Sequence, residues 1–463
     1  QMEITGFYFR VNKEKNLVIT ETGEPIVFTI ASWNDGKESL ADGDKIVFTC
    51  DAINETYPAS ATANLLARYH KTLSEVKVGN TLMTLNEMGW NVSEDTYKLW
   101  TQEKFVVAIP NPIGENYDAI VAVMDTIDNE ENVLYSPLSL NFALGLISEG
   151  ASDSVKADFE KHFGVPFETY TKFYQDYLNS LEDTVEVANA FWTKEIFTIN
   201  KDFEQAAKRD YQAEIDALPF DQEFVKMVND WCAEKTHGLI DKIMEDVPED
   251  STAIAINALY FKGLWDAEYE DHQVKEGEFD VFDGDPVSVT YLNSEEHYYL
   301  ENEFATGFMK YYEGGRYAFV GILPKNSDWT FESLDLKSLM ESKQSTEVLT
   351  MIPKFEFDNE YDLTSLLSLI GLESTLTPDA FPNVVKNDSL FIDQIIQKTK
   401  IKLDEEGTEA AAVTAIITKN GMAPAEMQKL VYLDKPFAFM IYDTQTDTVL
   451  FIGRVSNPNG GNN

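Results

Sequence analysis

Cysteine is almost missing from this 463-residue chain: only Cys50 and Cys232 occur. Two thiols in stretches of different texture exclude the disulfide framework on which small secreted folds depend. Basic residues are also scarce, with 36 Lys and Arg against 80 Asp and Glu, a formal charge of -44. Such a surface repels phosphate backbones and anionic headgroups, so nucleic acid and heparin-like polyanions are excluded as partners. No apolar run approaches the ~18 residues of a membrane span. Stretches such as AIAINALYF and AFVGIL are short and interrupted, and no transmembrane segment is expected.

The usual seats of catalysis are missing too. His70, His162, His237, His272 and His297 stand alone, without the HExxH or CxxC companions that put metal ligands on one helix face or turn. Neither a metal nor a cofactor is expected. A GxSxG elbow, a phosphate-cradling GxxxxGK(S/T) loop and a GxGxxG turn are all absent. Acidic groupings such as the one within 245–250 read as solvated surface in a chain with 80 carboxylates. The expectation is a protein that is not an enzyme.

What is present is ample core material, 44% apolar and 12% aromatic residues, in a chain longer than one core usually supports. Residues 1–72 read as a small all-β domain, with the runs GFYFRV, NLVIT, PIVFTI and DKIVFTC broken by polar turns. ADGDKIVFTC followed by INETYPASATANLL resembles a small OB-like barrel domain of bacterial surface lipoproteins. It lacks a basic groove with interleaved aromatics, so a spacer or scaffold role is expected. Residues 73–112 form a linker or extension: NEMGWNVSEDTYKLW looks partly helical and FVVAIPNP looks like a strand ending at prolines. Residues 113–463 alternate amphipathic helical stretches (YDAIVAVMDTI, KADFEKHF) with strands (YAFVGILP, FAFMIYD), a large α+β domain.

One segment departs from ordinary composition. Between KTKIKLD and VYLDKPFAFMIYD lie Glu405, Glu406, Gly407, Thr408, Glu409, Ala410, Ala411 and Ala412, followed by β-branched Val413, Thr414 and Ile416. Alanines favour helix and the β-branched residues favour strand, so the stretch suits either a loop or a strand. As a strand, it would turn Thr408, Ala410, Ala412 and Thr414 to one face, with Glu409 and Ala411 on the other. The single charge thus falls on the face that tolerates it.

EEGTEAAAVT closely resembles the reactive-loop hinge of inhibitory serpins. Seven further stretches match that family in order: NVLYSPLSL (132–140), VANAFWTK (187–194), VNDWCAEKTHGLI (228–240), INALYFKGLW (256–265), IPKFEF (352–357), KPFAFMIYD (435–443) and LFIGRVSNP (450–458). The resemblance implies a serpin fold, in which helices surround a large mixed β-sheet and a mobile reactive loop projects from it. It also implies a metastable inhibitor that traps a serine protease covalently after loop cleavage, insertion and a stalled acyl-enzyme. Phe355, Phe437 and Phe451 are expected to be core only.

By the same resemblance, Ser136, Ser139 and Asn257 belong to a polar shutter beneath the sheet. Gln397 stands there where the family commonly has a histidine. Family spacing puts the scissile bond at Gly421–Met422, with Lys419, Asn420 and Ile417 as alternatives. Small and aliphatic neighbours suit an elastase-like or subtilisin-like protease, while Lys419 would suit a trypsin-like one. A non-inhibitory serpin acting as a binding module is the remaining alternative. The chain starts at Gln1 without a basic, apolar leader, which fits a trimmed secretory precursor or a cytosolic protein. A secreted or cell-surface bacterial monomer is expected, free or held by a lipid anchor upstream.

Overall fold

Strict alternation shapes the first part of the chain. In a computed structural model, which describes residues 2–10, 16–20, 25–34, 40, 44–54, 59–72, 75–78, 81–84, 111–128, 130–181, 183–386, 388–407 and 428–460, six strands come first. They are β1 (Met2–Arg10), β2 (Asn16–Thr20), β3 (Pro25–Ile30), β4 (Asp44–Cys50), β5 (Ile53–Asn54) and β6 (Ala59–Thr72). Along β4, Asp44, Ile46, Phe48 and Cys50 are buried and the residues between them are half-exposed, the period of a strand with one face on a core.

The strand order is β3-β2-β1-β4-β6, and β6 returns parallel to β3 to close a five-stranded barrel. Full closure leaves no open sheet edge among these five strands. Phe28 and Phe48 stack at 5.0 Å inside it, with Tyr8 edge-on to Phe28. A two-stranded hairpin, β7 (Glu75–Val78) with β8 (Thr81–Thr84), follows. NEMGWNVSEDTYKLW and FVVAIPNP fall almost wholly outside the described residues.

From Asn111 onward helices enter: α1 (Tyr117–Ile127), α2 (Pro137–Ser148), α3 (Asp153–Phe163), α4 (Phe167–Ser180), α5 (Lys201–Tyr211), α6 (Gln222–Lys235) and α7 (Leu336–Glu341). Their starts are chemically marked. Ser136, Ser152, Asn200 and Asp221 each accept a backbone N–H of the first turn of α2, α3, α5 and α6, and Pro137 opens α2. Gly164, at φ 73°, ends α3. α2 is predominantly apolar and buried along nearly its whole length, as suits a helix at the centre of a large core.

Two sheets dominate this part. One has five strands in the order β11-β10-β12-β19-β18: β10 (Val185–Lys194), β11 (Glu214–Leu218), β12 (Ala253–Phe261), β18 (Phe355–Asp362) and β19 (Ile392–Leu403). The other runs β20-β17-β14-β15-β16-β21-β22-β9, with β13 on β14. Its strands are β9 (Val133–Tyr135), β13 (Val274–Phe279), β14 (Val287–Glu301), β15 (Ala305–Tyr311), β16 (Tyr317–Pro324), β17 (Gln344–Pro353), β20 (Lys429–Tyr432), β21 (Phe437–Asp443) and β22 (Thr448–Val455).

The main core lies between the sheets, where Leu259, Phe261, Ile401 and Leu403 meet Phe439, Ile441 and Phe451. Phe355 and Phe437 belong to it as well. A second cluster packs α6 onto the opposite face of the five-stranded sheet, with Phe224, Val228, Trp231 and Cys232 against Trp192, Ile254, Ile256 and Ala258. Cys50 and Cys232 are both buried free thiols. The five-stranded sheet is therefore covered on both faces around β12, whose residues are all buried.

Candidate functional site

The centre of the five-stranded sheet is split. β12 and β19 run parallel and pair only from Ala253 to Ile256 and from Ile392 to Ile396. Beyond Ile256 and Ile396 the ladder stops, although both strands continue to Phe261 and Leu403. Between the parted halves lies a cavity of about 270 Å³, walled by Leu259, Tyr260, Phe261, Lys400, Ile401 and Lys402. Ile441 and Phe451 line it from the second sheet, and His237, Gly238 and Leu239, just after α6, from the other side. Two unused strand edges facing one another leave backbone donors and acceptors that a further strand would satisfy.

Past the split, the chain leaving β19 is tied back to the chain leaving β12. Trp265 donates its indole N–H to Asp404 O at 3.0 Å and its backbone N–H to Glu406 O at 3.2 Å. The indole is held in place by stacking on Tyr312 at 4.6 Å and 10°. Tyr269 N–H donates to Glu405 O at 3.1 Å. The Glu405 carboxylate pairs with Lys354 at 2.7 Å, and the ammonium holds the carboxyl below the usual carboxylate range.

Gly407 forms isolated antiparallel bridges with both Leu264 and Asp404. Its φ is 129°, and a Cβ there would meet Gly263 O at 2.5 Å and the Leu264 Cα at 2.7 Å. Only glycine fits so close to another backbone in that conformation. Beneath this junction, Lys310 is buried, pairs with Glu296 at 2.8 Å and faces the Tyr269 ring at 4.4 Å.

Ser136, Ser139 and Gln397 come together under β19. Ser136 N–H donates to Gln397 Oε1 at 2.8 Å, and Gln397 Nε2 donates to Ser136 O at 2.9 Å. Ser136 Oγ donates to Leu450 O at 2.7 Å and accepts from Ser139 N–H at 3.1 Å, so one hydroxyl joins α2 to the second sheet. Asn257 stands apart from these bonds. Its amide donates to Asn189 Oδ1 at 2.7 Å, Asn189 donates to Tyr211 O at 2.8 Å, and Asn257 Oδ1 is buried without a hydrogen-bond partner.

Of the hinge residues drawn from resemblance, Glu405, Glu406 and Gly407 are placed as described above. Thr408, Glu409, Ala410, Ala411 and Ala412 lie outside the described residues, as do Ile417, Lys419, Asn420, Gly421 and Met422. Sequence reasoning gave no role to Trp265, Asn189, Lys354 or Asp404. The first three stand within matched stretches, INALYFKGLW, VANAFWTK and IPKFEF, and those matches were the available signal.

A large α+β fold whose central sheet is parted beside a glycine-anchored strand exit defines the class of protein. The family described as "Serpin (serine protease inhibitor)" matches residues 120–458, and the chain belongs to that family. An uncharacterized serpin-like protein of Methanosarcina acetivorans is 30% identical over 353 residues, 72% of this chain and 82% of the relative. The native state of tengpin, a thermophilic serpin, superposes with a TM-score of 0.69 at 32% identity, covering 76% of this chain and 97% of tengpin. Thyroxine-binding globulin in complex with thyroxine shares the fold at 22% identity and a TM-score of 0.64, covering 75% of this chain and 99% of the globulin. Members of the family are as a rule protease inhibitors rather than catalysts. No helix among the described residues is long and apolar enough to cross a membrane.

Proposed function

We propose that this chain inhibits serine proteases as a suicide substrate, and that the split between β12 and β19 receives the reactive segment. The observation that carries the reading is the adjacency of the split to Gly407, where the chain is already hydrogen-bonded at the mouth of the slot. Thr408, Ala410 and Ala412, which an inserted strand would turn inward, are small, and Glu409 would fall on the opposite face. A bulky or charged residue on the inward face, the mark of a non-inhibitory member, is absent there.

In the reaction the protease serine Oγ attacks the carbonyl carbon of Gly421. The bond to the Met422 nitrogen breaks, the leaving amine takes its proton from the protease histidine, and an acyl ester remains. The freed segment then inserts, carrying the tethered protease with it. Deacylation stalls because a displacement of ~1 Å in the catalytic groups costs ~100-fold. Small and aliphatic residues around Gly421–Met422 favour an elastase-like or subtilisin-like target, with Lys419 as a site for a trypsin-like one. The protein acts as a monomer, secreted or on the cell surface of a bacterium.

Incubation with elastase, subtilisin and trypsin tests this. A denaturant-resistant complex is expected, and mass spectrometry of the released fragment would assign the bond. Cleaved chain beside fully active protease in all three mixtures would overturn inhibition and favour a binding module.

A further inference from the structure

The chain leaves α6 through two left-handed residues, His237 at φ 52° and Gly238 at φ 80°. This reversal ends the helix and sends the chain over the face of the five-stranded sheet that carries α6. The crossing starts on one bank of the split. His237 Nε2 lies 2.6 Å from Glu186 Oε2 of β10, and its ring lies 4.7 Å from that of Tyr260 of β12. Glu186 and Tyr260 are direct partners in the β10–β12 ladder, so the imidazole stands on a closed part of the sheet.

The crossing ends on the other bank. The Lys398 ammonium of β19 donates to Lys242 O at 2.8 Å. Between the two pins, Gly238 and Leu239 line the cavity of the split. Asn229 of α6 then accepts the Ile243 and Met244 N–H groups at 2.8 and 3.1 Å, so this crossing and the helix are tied to one another.

Admitting one more strand, ~4.8 Å of sheet width, moves the banks apart, whereas a hydrogen bond fails beyond about 3.5 Å. Widening therefore breaks a pin. Imidazole is the side chain that changes charge between roughly pH 5 and 8. A neutral ring holds Glu186 with one N–H, and an imidazolium holds it with a charge-assisted bond roughly twice as strong. The other charged or titratable groups around the ring are Tyr260 on β12, Lys400 and Lys402 on β19 and Glu356 on β18, with Glu234 and Lys235 at the end of α6. Lys400 is held by Glu356 at 3.3 Å, Lys402 by Asp404 at 3.1 Å and Lys235 by Glu214 at 3.7 Å, while Glu186 is the carboxylate in contact with the imidazole.

We propose that residues 237–242 are a strap that ties β10 and β12 to β19 across the split, and that His237 makes its grip depend on pH, tighter in acid. The role in inhibition rests on the inhibitory reading, in which the split must widen. A tighter strap slows widening, so more of the chain leaves cleaved and less is trapped as complex.

Cys232 tests the strap without a protease, because this thiol is buried on α6 and a lifted helix exposes it. Its labelling rate is read on its own peptide by mass spectrometry, as the ratio of wild type to His237→Gln at each pH, which cancels the titration of the thiol. The ratio should be near unity at about pH 8 and two- to fivefold lower at about pH 6, the range of an exposed ion pair. Glu186→Gln, which leaves the strap residues untouched, should erase this pH dependence, and His237→Arg should keep the slow acid value at both pH values. Lys398→Met should speed labelling at both. The yield of protease complex, taken as the same ratio, should fall in acid together with labelling. A flat labelling ratio, or a Glu186→Gln chain that keeps the wild-type profile, would overturn the strap. Complex formation beside a flat ratio would overturn the strap alone, and a pH-dependent ratio without complex at either pH would support the strap and overturn the inhibitory reading.

Discussion

Gln397 and Ser136 exchange two hydrogen bonds, at 2.8 and 2.9 Å, so that one side-chain amide satisfies both the N–H and the C=O of a single residue. The pair joins β19, one wall of the slot, to the residue that caps α2. Both residues are buried, and a carboxamide neither gains nor loses a proton across the ordinary pH range. An imidazole there would carry the pH dependence that this joint lacks.

Replacing Gln397 with Leu should leave the Ser136 backbone groups unpaired in a dry site, at a cost of about 1–3 kcal/mol for each unsatisfied group. Thermal denaturation of the intact chain would read this as a lowered Tm. Gln397→His should instead keep most of the stability above pH ~6.5 and lose it below, since a protonated ring can no longer accept the Ser136 N–H. A variant whose Tm tracks wild type throughout would refute the assignment of this joint.

Gly407→Ala should dislodge the strand exit. The added methyl meets Gly263 O and Leu264 Cα, and the positive φ adds backbone strain of ~1–3 kcal/mol. Trp265 is the natural reporter, because its indole N–H bonds to Asp404 O three residues before the glycine. The chain holds seven tryptophans, so the signal is read as the difference between Gly407→Ala made with and without Trp265→Phe. That difference should shift toward the emission of a solvated indole, and an unshifted difference would rule this account out.

Glu115 is half-buried and accepts the Val449 N–H at 2.8 Å, and desolvation pushes its carboxyl up to about 8. The folded chain therefore keeps this proton while the unfolded chain has lost it above pH ~4.5. Stability declines as pH rises from that value toward 8, since folding then requires proton uptake. Glu115→Gln retains an acceptor for Val449 and removes the titration. Its Tm should exceed that of wild type at pH 8 by more than at pH 5, and a constant difference would refute the account.

Much of the molecule was legible one residue at a time. NLVIT, PIVFTI and DKIVFTC became strands with those bounds, and YDAIVAVMDTI became α1, because period 2 and period 3.6 are local properties of a chain. Phe355, Phe437 and Phe451 are core for the same reason. The partnership of Asn257 was not legible. It lies beside Asn189 in the β10–β12 ladder, and nothing in either stretch announces which strand will be its neighbour.

Taken alone, the sequence determined the family, the α+β class with a β-rich front, and the unusual lightness of the stretch from Thr408 to Ala412. These depend on residue type, spacing and order along the chain. Only the tertiary structure decided that the ladder between β12 and β19 ends at Ile256 and Ile396, and that Gly407 is bonded to both of its walls. The reason is physical: strand pairing and its interruption are settled between segments some 140 residues apart, Ile256 against Ile396, by which backbone groups find partners and which are left facing a gap.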